Sequence, residues 1–170
     1  GETYRALYTG FDFNGPAAVR YPRGKGIGIP IDKGMRPLEI GKGLVRRDGN
    51  TIAIFAFGSM VKAALEAAEK LGATLVDMRF VKPLDEELIS KLAANHQLVV
   101  TVEESAVMGG AGSAVNEFLA QTSTPIQTLN LGLPDKFLEH GKPSEMLDEI
   151  NLNCEGIIQA IKNKQNECGL

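Results

Sequence analysis

The chain contains no tryptophan, only two histidines and two cysteines, and no apolar run approaching membrane-spanning length. Each scarcity excludes something. Cys154 and Cys168 sit in or beyond a C-terminal helical segment without metal-ligand spacing, and His96 and His140 are too isolated to complete a metal site with them. Unpaired cysteines of this kind fit a reducing compartment. Charge of one sign is lacking too: 18 Lys and Arg stand against 21 Asp and Glu, a net charge of −3. That balance gives no reason to expect nucleic acid or an anionic membrane as partner. The N-terminus has no signal-peptide pattern, and Gly1 in place of methionine reads as a cut or a cloning remnant.

What is present is an ordinary globular composition, 44% hydrophobic and 23% charged over 170 residues. It suffices for one domain with a normal core, together with part of another. Tyr4, Leu7, Tyr8 and Phe11 are spaced for an amphipathic helix of about three turns. Asn14-Gly15-Pro16 turns the chain, and Ala17 to Tyr21 reads as a strand ended by Pro22. One helix and one strand enclose no core, so residues 1–28 read as the last piece of a preceding domain. Residues 29–41, broken by Pro30, Gly34 and Pro37, read as a linker, residues 42–164 as a domain, and residues 165–170 as a tail.

Within that domain, Gly43 to Arg47 and the apolar run Thr51 to Phe57 read as a hairpin about Asp48-Gly49-Asn50. A helix from Gly58-Ser59 presents Met60, Ala64, Leu65, Ala68 and Leu71, and Gly72 stops it. Ala73 to Met78 is the next strand. Asp85 is the expected N-cap of a helix carrying Leu88, Ile89 and Leu92, with Glu86 and Glu87 in its first turn. Leu98 to Val102 has the composition of a strand buried on both faces. After it come Glu103, Glu104 and the cluster Gly109-Gly110-Ala111-Gly112, then a helix with Ala114, Val115, Phe118 and Leu119 on one stripe. Ile126 to Leu131 is the last strand, and Gly132-Leu133-Pro134 turns the chain. Ser144 is the expected cap of a helix bearing Met146, Leu147 and Ile150, and Ile157, Ile158 and Ile161 mark a terminal helix. The alternation predicts an α/β fold: a mostly parallel sheet of about five strands, one antiparallel edge strand, and helices on both faces.

The glycine cluster opening a helix admits two readings. One is a phosphate site at the helix N-terminus. Against it, Val115 stands where a dinucleotide fingerprint wants a small residue, no Walker lysine follows, and Glu103 and Glu104 would repel the anion. The favoured reading is close packing of the helix on the sheet or on a second subunit. Arg79, at a strand end near Asp77 and Glu103 or Glu104, suggests a structural ion network. His140 lacks a serine or cysteine nucleophile nearby and reads as a satisfied structural histidine rather than a general base. Arg20 and Arg23, on a stiff Pro- and Gly-bounded support, are either an ordinary surface pair or a grip for phosphate or carboxylate.

Taken together and in order, Val19-Arg20-Tyr21-Pro22-Arg23-Gly24, Leu75 to Asp85 (LVDMRFVKPLD), Val102-Glu103-Glu104 with Gly109 to Ser113, and Asn130 to Asp135 (NLGLPD) resemble one family. It is the 1-deoxy-D-xylulose-5-phosphate synthases of the transketolase superfamily, in their C-terminal part, from about Tyr4 to Lys162. The resemblance implies a three-domain enzyme that uses thiamine diphosphate and Mg2+ to decarboxylate pyruvate and join the two-carbon unit to glyceraldehyde 3-phosphate. Its product would feed isoprenoid, thiamine and pyridoxal phosphate synthesis. On that reading residues 1–28 are the tail of the pyrimidine-binding domain, and residues 42–164 are a transketolase-like C-terminal domain. The metal–diphosphate motif and the activating glutamate belong to N-terminal domains missing here, so no cofactor, metal or catalytic residue is expected on this piece. Only Arg23 carries over with a substrate role, as the clamp on the aldehyde's phosphate, while Arg20 supports the strand. The implied enzyme is a cytoplasmic homodimer (plastidial in a plant or alga). A non-catalytic dimerisation or scaffold module, or part of a 2-oxoacid dehydrogenase β subunit, are the alternatives.

Overall fold

A computed structural model describes residues 1–22, 34 and 36–170. Arg23 and residues 29–33 and 35 of the expected linker lie outside the described residues. The elements run α1 (Glu2–Asp12), β1 (Leu44–Arg47), β2 (Ile52–Ala56), a 3-10 turn (Gly58–Met60), α2 (Val61–Leu71), β3 (Thr74–Asp77), α3 (Glu86–Ala93), β4 (Leu98–Ala106), α4 (Ala111–Ala120), β5 (Gln127–Leu133), α5 (Pro143–Glu149) and α6 (Cys154–Cys168). The five strands form one sheet in the order β1-β3-β2-β4-β5. All pairs are parallel except β1 with β3. The expected fold class is therefore the observed one.

The strand pleat divides the core into two layers. Ile52, Ile54 and Ala56 of β2 with Leu98, Val100 and Val102 of β4 meet Ala64, Ala67 and Ala68 of α2 and Ile157 and Ile161 of α6. On the other face Ala53 and Phe55 of β2 with Val99 of β4 meet Ile89 and Leu92 of α3 and Val115 and Leu119 of α4. Alternate residues feed opposite layers, so β2 is buried at every position. The helix signals operate as chemistry dictates. Gly72 ends α2 at φ 67°. Asp85 caps α3 by accepting from the Leu88 N–H at 3.2 Å, and it also accepts from the Gly43 N–H at 2.9 Å.

Several expectations need correction. β1 and β2 are not a hairpin, because β3 lies between them. The Asp48–Thr51 connection passes instead across the start of β3, with the Gly49 N–H on Thr74 Oγ1 at 3.0 Å and the Asn50 N–H on the Gly72 carbonyl at 3.1 Å. A Cβ on Gly49 would overlap the Gly72 carbonyl oxygen, which explains the glycine without a hairpin turn. Residues 17–21 belong to no strand. Val19 packs instead on α1 at Gly10, where a Cβ would stand 3.0 Å from its Cγ2. β4 continues four residues past Val102, and β5 runs on to Leu133 beside it. Ser144 does not cap α5. Lys142 occupies that position and Pro143 is the first helical residue, leaving Ser144 inside the first turn. α6 extends through Cys168, so most of the expected tail is helical.

Candidate functional site

Strands β3, β2, β4 and β5 run parallel, so their C-terminal ends share one edge. β2 leads through α2 to β3 on one side, whereas β4 leads through α4 to β5 on the other. The crevice between the ends of β2 and β4 is where an open α/β sheet ordinarily takes its ligand. In this chain its own side chains span that crevice. Ser59, in the turn after β2, donates its hydroxyl to the Glu104 carboxylate in a short hydrogen bond. The Phe57 N–H donates to the Val102 carbonyl at 2.9 Å beneath it.

One residue back, the pleat turns Glu103 toward α4. The residue is 4% exposed. Oε2 accepts from the Ala111 N–H and Oε1 from the Gly112 N–H, both at 2.8 Å. Two donors that a helix start leaves without partners are thereby satisfied, and a negative charge sits at the positive end of the helix dipole. The anion site suggested by the glycine cluster thus exists, but Glu103 fills it. The phosphate reading fails and the packing reading stands. A Cβ on Gly112 would overlap Asn130 Nδ2 and Thr101 Oγ1, and one on Gly110 would come within 2.5 Å of both Glu103 oxygens. Beside this contact Asn116 Nδ2 donates to Asn130 Oδ1 at 2.8 Å, joining α4 to β5.

Arg79 does join an ion network, with Asp77 in it as expected and with Glu2 and Arg46 in place of Glu103 and Glu104. Its guanidinium binds Glu2 Oε1 at 2.7 Å. The same oxygen lies 3.5 Å from Arg46, which binds Asp77 at 2.8 Å. Asp77 also accepts from the Arg79 N–H at 3.3 Å, where Arg79 takes a left-handed backbone with φ 54°. Glu103 and Glu104 take no part, because the sheet edge turns them toward α4 and Ser59. Glu2 and Arg46 escaped the sequence reading because each contact spans more than 30 residues and leaves no local spacing. Ser59 escaped for the same reason, its contact with Glu104 spanning 45 residues, whereas Asn116 and Asn130 lie 14 residues apart on different elements and share no local motif.

Arg20 reaches the same edge and donates to the Glu104 carbonyl at 2.9 Å. His140 is exposed and makes no hydrogen bond among the described residues, so it is solvated rather than structurally satisfied. His96 is the structural histidine, with Nδ1 2.8 Å from the Leu92 carbonyl and Nε2 2.8 Å from Thr74 Oγ1. Cys154 and Cys168 are free and half-buried. Among the described residues no three His, Cys, Asp or Glu side chains come together to hold a metal. No described helix is long and apolar enough to cross a membrane.

Residues 41–157 match the family model of the transketolase C-terminal domain. The chain belongs to that family. Over 163 residues, 96% of its length, it is 56% identical to the 1-deoxy-D-xylulose-5-phosphate synthase of Pseudomonas aeruginosa strain UCBPP-PA14, of which it covers 26%. It is also 56% identical to the synthase of Nitrosospira multiformis over 95% of the chain and 26% of that protein. The chain thus spans about a quarter of the length of the curated relatives it matches. Among solved structures, a split-gene transketolase chain described as an inactive β4 tetramer superposes with a TM-score of 0.71 at 36% identity, over 77% of this chain and 44% of that one. A transketolase of Pichia stipitis in complex with sedoheptulose 7-phosphate shares the fold at a TM-score of 0.51 and 23% identity, over 76% of this chain and 19% of that one.

The described part of this transketolase C-terminal domain does not fit thiamine diphosphate or Mg2+. The start of α4, with its Ala111 and Gly112 N–H groups, already holds the Glu103 carboxylate, and among the described residues no acidic cluster stands by to take a cation.

Proposed function

We propose that this chain is the C-terminal part of a thiamine-diphosphate- and Mg2+-dependent synthase that condenses pyruvate with glyceraldehyde 3-phosphate to 1-deoxy-D-xylulose 5-phosphate and CO2. The observation that carries this reading is the 56% identity to such synthases over 96% of the chain, well beyond the 41–157 domain match. The cofactor supplies the decarboxylation chemistry and belongs to portions of the enzyme outside this chain. The work done here is to hold substrate. Arg23 grips the phosphate of glyceraldehyde 3-phosphate, because a planar guanidinium matches two phosphate oxygens at once. Arg20, tied to the Glu104 carbonyl, anchors the chain three residues before it.

The enzyme is a cytoplasmic homodimer on this reading, and its product feeds isoprenoid, thiamine and pyridoxal phosphate synthesis. The isolated chain is catalytically silent, an assembly module. The inactive β4 tetramer of the split-gene transketolase chain supports that part of the proposal.

Two measurements test it. In the full-length enzyme, Arg23→Ala should raise KM for glyceraldehyde 3-phosphate by about 10-fold or more, the loss of one charge-assisted contact. KM for unphosphorylated glyceraldehyde and the rate of pyruvate decarboxylation should change far less. An unaltered dependence on glyceraldehyde 3-phosphate would remove Arg23 from the site. Cofactor binding and turnover by the 170-residue chain alone would overturn the division of labour.

A further inference from the structure

The last part of β4 is bulged. Val102 stands opposite Leu131 and Ala106 opposite Leu133, so residues 103–105 of β4 face the single residue Gly132 of β5. On the other side the ladder to β2 stops at the pair Ala56 and Val102. Glu104, in the middle of the bulge, therefore has no ladder partner in β2 or β5, and side chains place its backbone instead. Before it, Glu103 is held on the Ala111 and Gly112 N–H groups of α4. The Glu104 carboxylate itself accepts from the Ser59 hydroxyl. Gly132 fits closely against the bulge, since a Cβ there would stand 2.7 Å from the Ser105 carbonyl oxygen. What the bulge offers at the sheet edge is the Glu104 carbonyl, which accepts from Arg20 Nη2 at 2.9 Å. Among the described residues this is the one hydrogen bond that ties residues 14–22 to the sheet.

We propose that Ser59 and Glu104 are positioning residues for the phosphate of glyceraldehyde 3-phosphate, acting through Arg20 on Arg23, an inference that rests on the synthase reading. Three residues of chain reach at most about 11 Å. The point where Arg20 is seated thus bounds where the phosphate-gripping arginine can stand. The charges suit a positioning part rather than a binding one. A carboxylate would repel the phosphate, and that of Glu104 is turned aside to Ser59 while its neutral carbonyl meets Arg20. A neutral acceptor seats Arg20 without cancelling its charge, as a carboxylate partner would. A bulge beside a site commonly re-aims a group in this way.

The test is steady-state kinetics of the full-length enzyme with both aldehydes. Ser59→Ala removes the tie to Glu104 from an exposed position, outside the core. KM for glyceraldehyde 3-phosphate should rise about 3-fold or more, part of the effect of about 10-fold or more expected of Arg23→Ala. KM for pyruvate, KM for unphosphorylated glyceraldehyde and kcat should stay within about 2-fold. Ser59→Thr, which keeps the hydroxyl, should restore the parental KM. A serine that served stability alone would not separate the two aldehydes. Ser59→Ala combined with Arg20→Ala should raise KM no further than the larger single change, because both cut one chain of contacts. Single effects that multiply in the double variant would overturn the relay. So would a parental KM for glyceraldehyde 3-phosphate in a Ser59→Ala enzyme that turns over, and that result leaves the synthase reading standing. No turnover by the unmutated enzyme would sink the synthase reading and this inference with it.

Discussion

Replacing Glu103 by alanine should be the most damaging single change at the sheet edge. The carboxylate is buried and accepts two backbone N–H bonds of 2.8 Å at the start of α4. Each hydrogen bond to a charged group contributes roughly 1.5–3 kcal/mol, and truncation leaves the Ala111 and Gly112 donors buried without a partner. The anion's interaction with the helix dipole adds about 0.3–2 kcal/mol. These terms overlap, so a loss of about 3–5 kcal/mol is expected, a large fraction of the stability of a domain this size. Glu103→Gln keeps the shape and one acceptor but turns an NH2 toward a backbone donor, and should cost roughly half as much. Glu104→Ala is the control, because among the described residues its carboxylate meets only Ser59, and it should cost about 1 kcal/mol or less. Equilibrium urea unfolding monitored by circular dichroism measures all three. A Glu103→Ala midpoint within about 0.5 kcal/mol of the parent, at unchanged slope, would refute the role assigned to this carboxylate.

Three further outcomes follow from the same structure. Gly112→Ala should cost about 2 kcal/mol or more in the same assay, because its methyl would overlap Asn130 and Thr101. Gly72→Ala, with open space but φ 67°, should cost only about 1 kcal/mol. The Glu87 carboxylate, and after it Asp85, raise the Lys42 pKa above 10.5. The small stabilisation this gives is complete below the ordinary lysine range and is lost as pH climbs through the raised value. Lys42→Met should therefore flatten that alkaline decline in a Tm-versus-pH series while leaving the neutral and acidic limbs parallel to the parent.

Local chemistry was legible at two helix ends, although Ser144 is not the cap it resembles. Gly72 ends α2 because the chain needs a left-handed residue there, and Asp85 caps α3 because its carboxylate reaches an N–H three residues on. The unbroken apolar run of β2 declared a central strand. Readings failed where partners are distant. The Asp-Gly turn looked like a hairpin because spacing cannot show that β3 inserts between β1 and β2. Glu103 and Glu104 looked alike, yet the pleat sends one into the core and the other to Ser59. Glu2, second in the chain, gave no sign of bridging two arginines 44 and 77 residues away. Arg23, the one residue assigned a substrate role, rests on its motif alone, since it lies outside the described residues.

The vault of residues 48–51 carries the chain over the start of β3. β1 is a near neighbour of β2 along the chain, yet its ladder partner is β3. It works as a shutter closing the outer margin of β3. A shortened chain beginning after Arg47 would keep four parallel strands and both core layers, but bare the β3 ladder of N–H and carbonyl groups to the solvent. Such a margin recruits strands from other molecules, so the cost of trimming this protein would appear as aggregation before it appeared as unfolding.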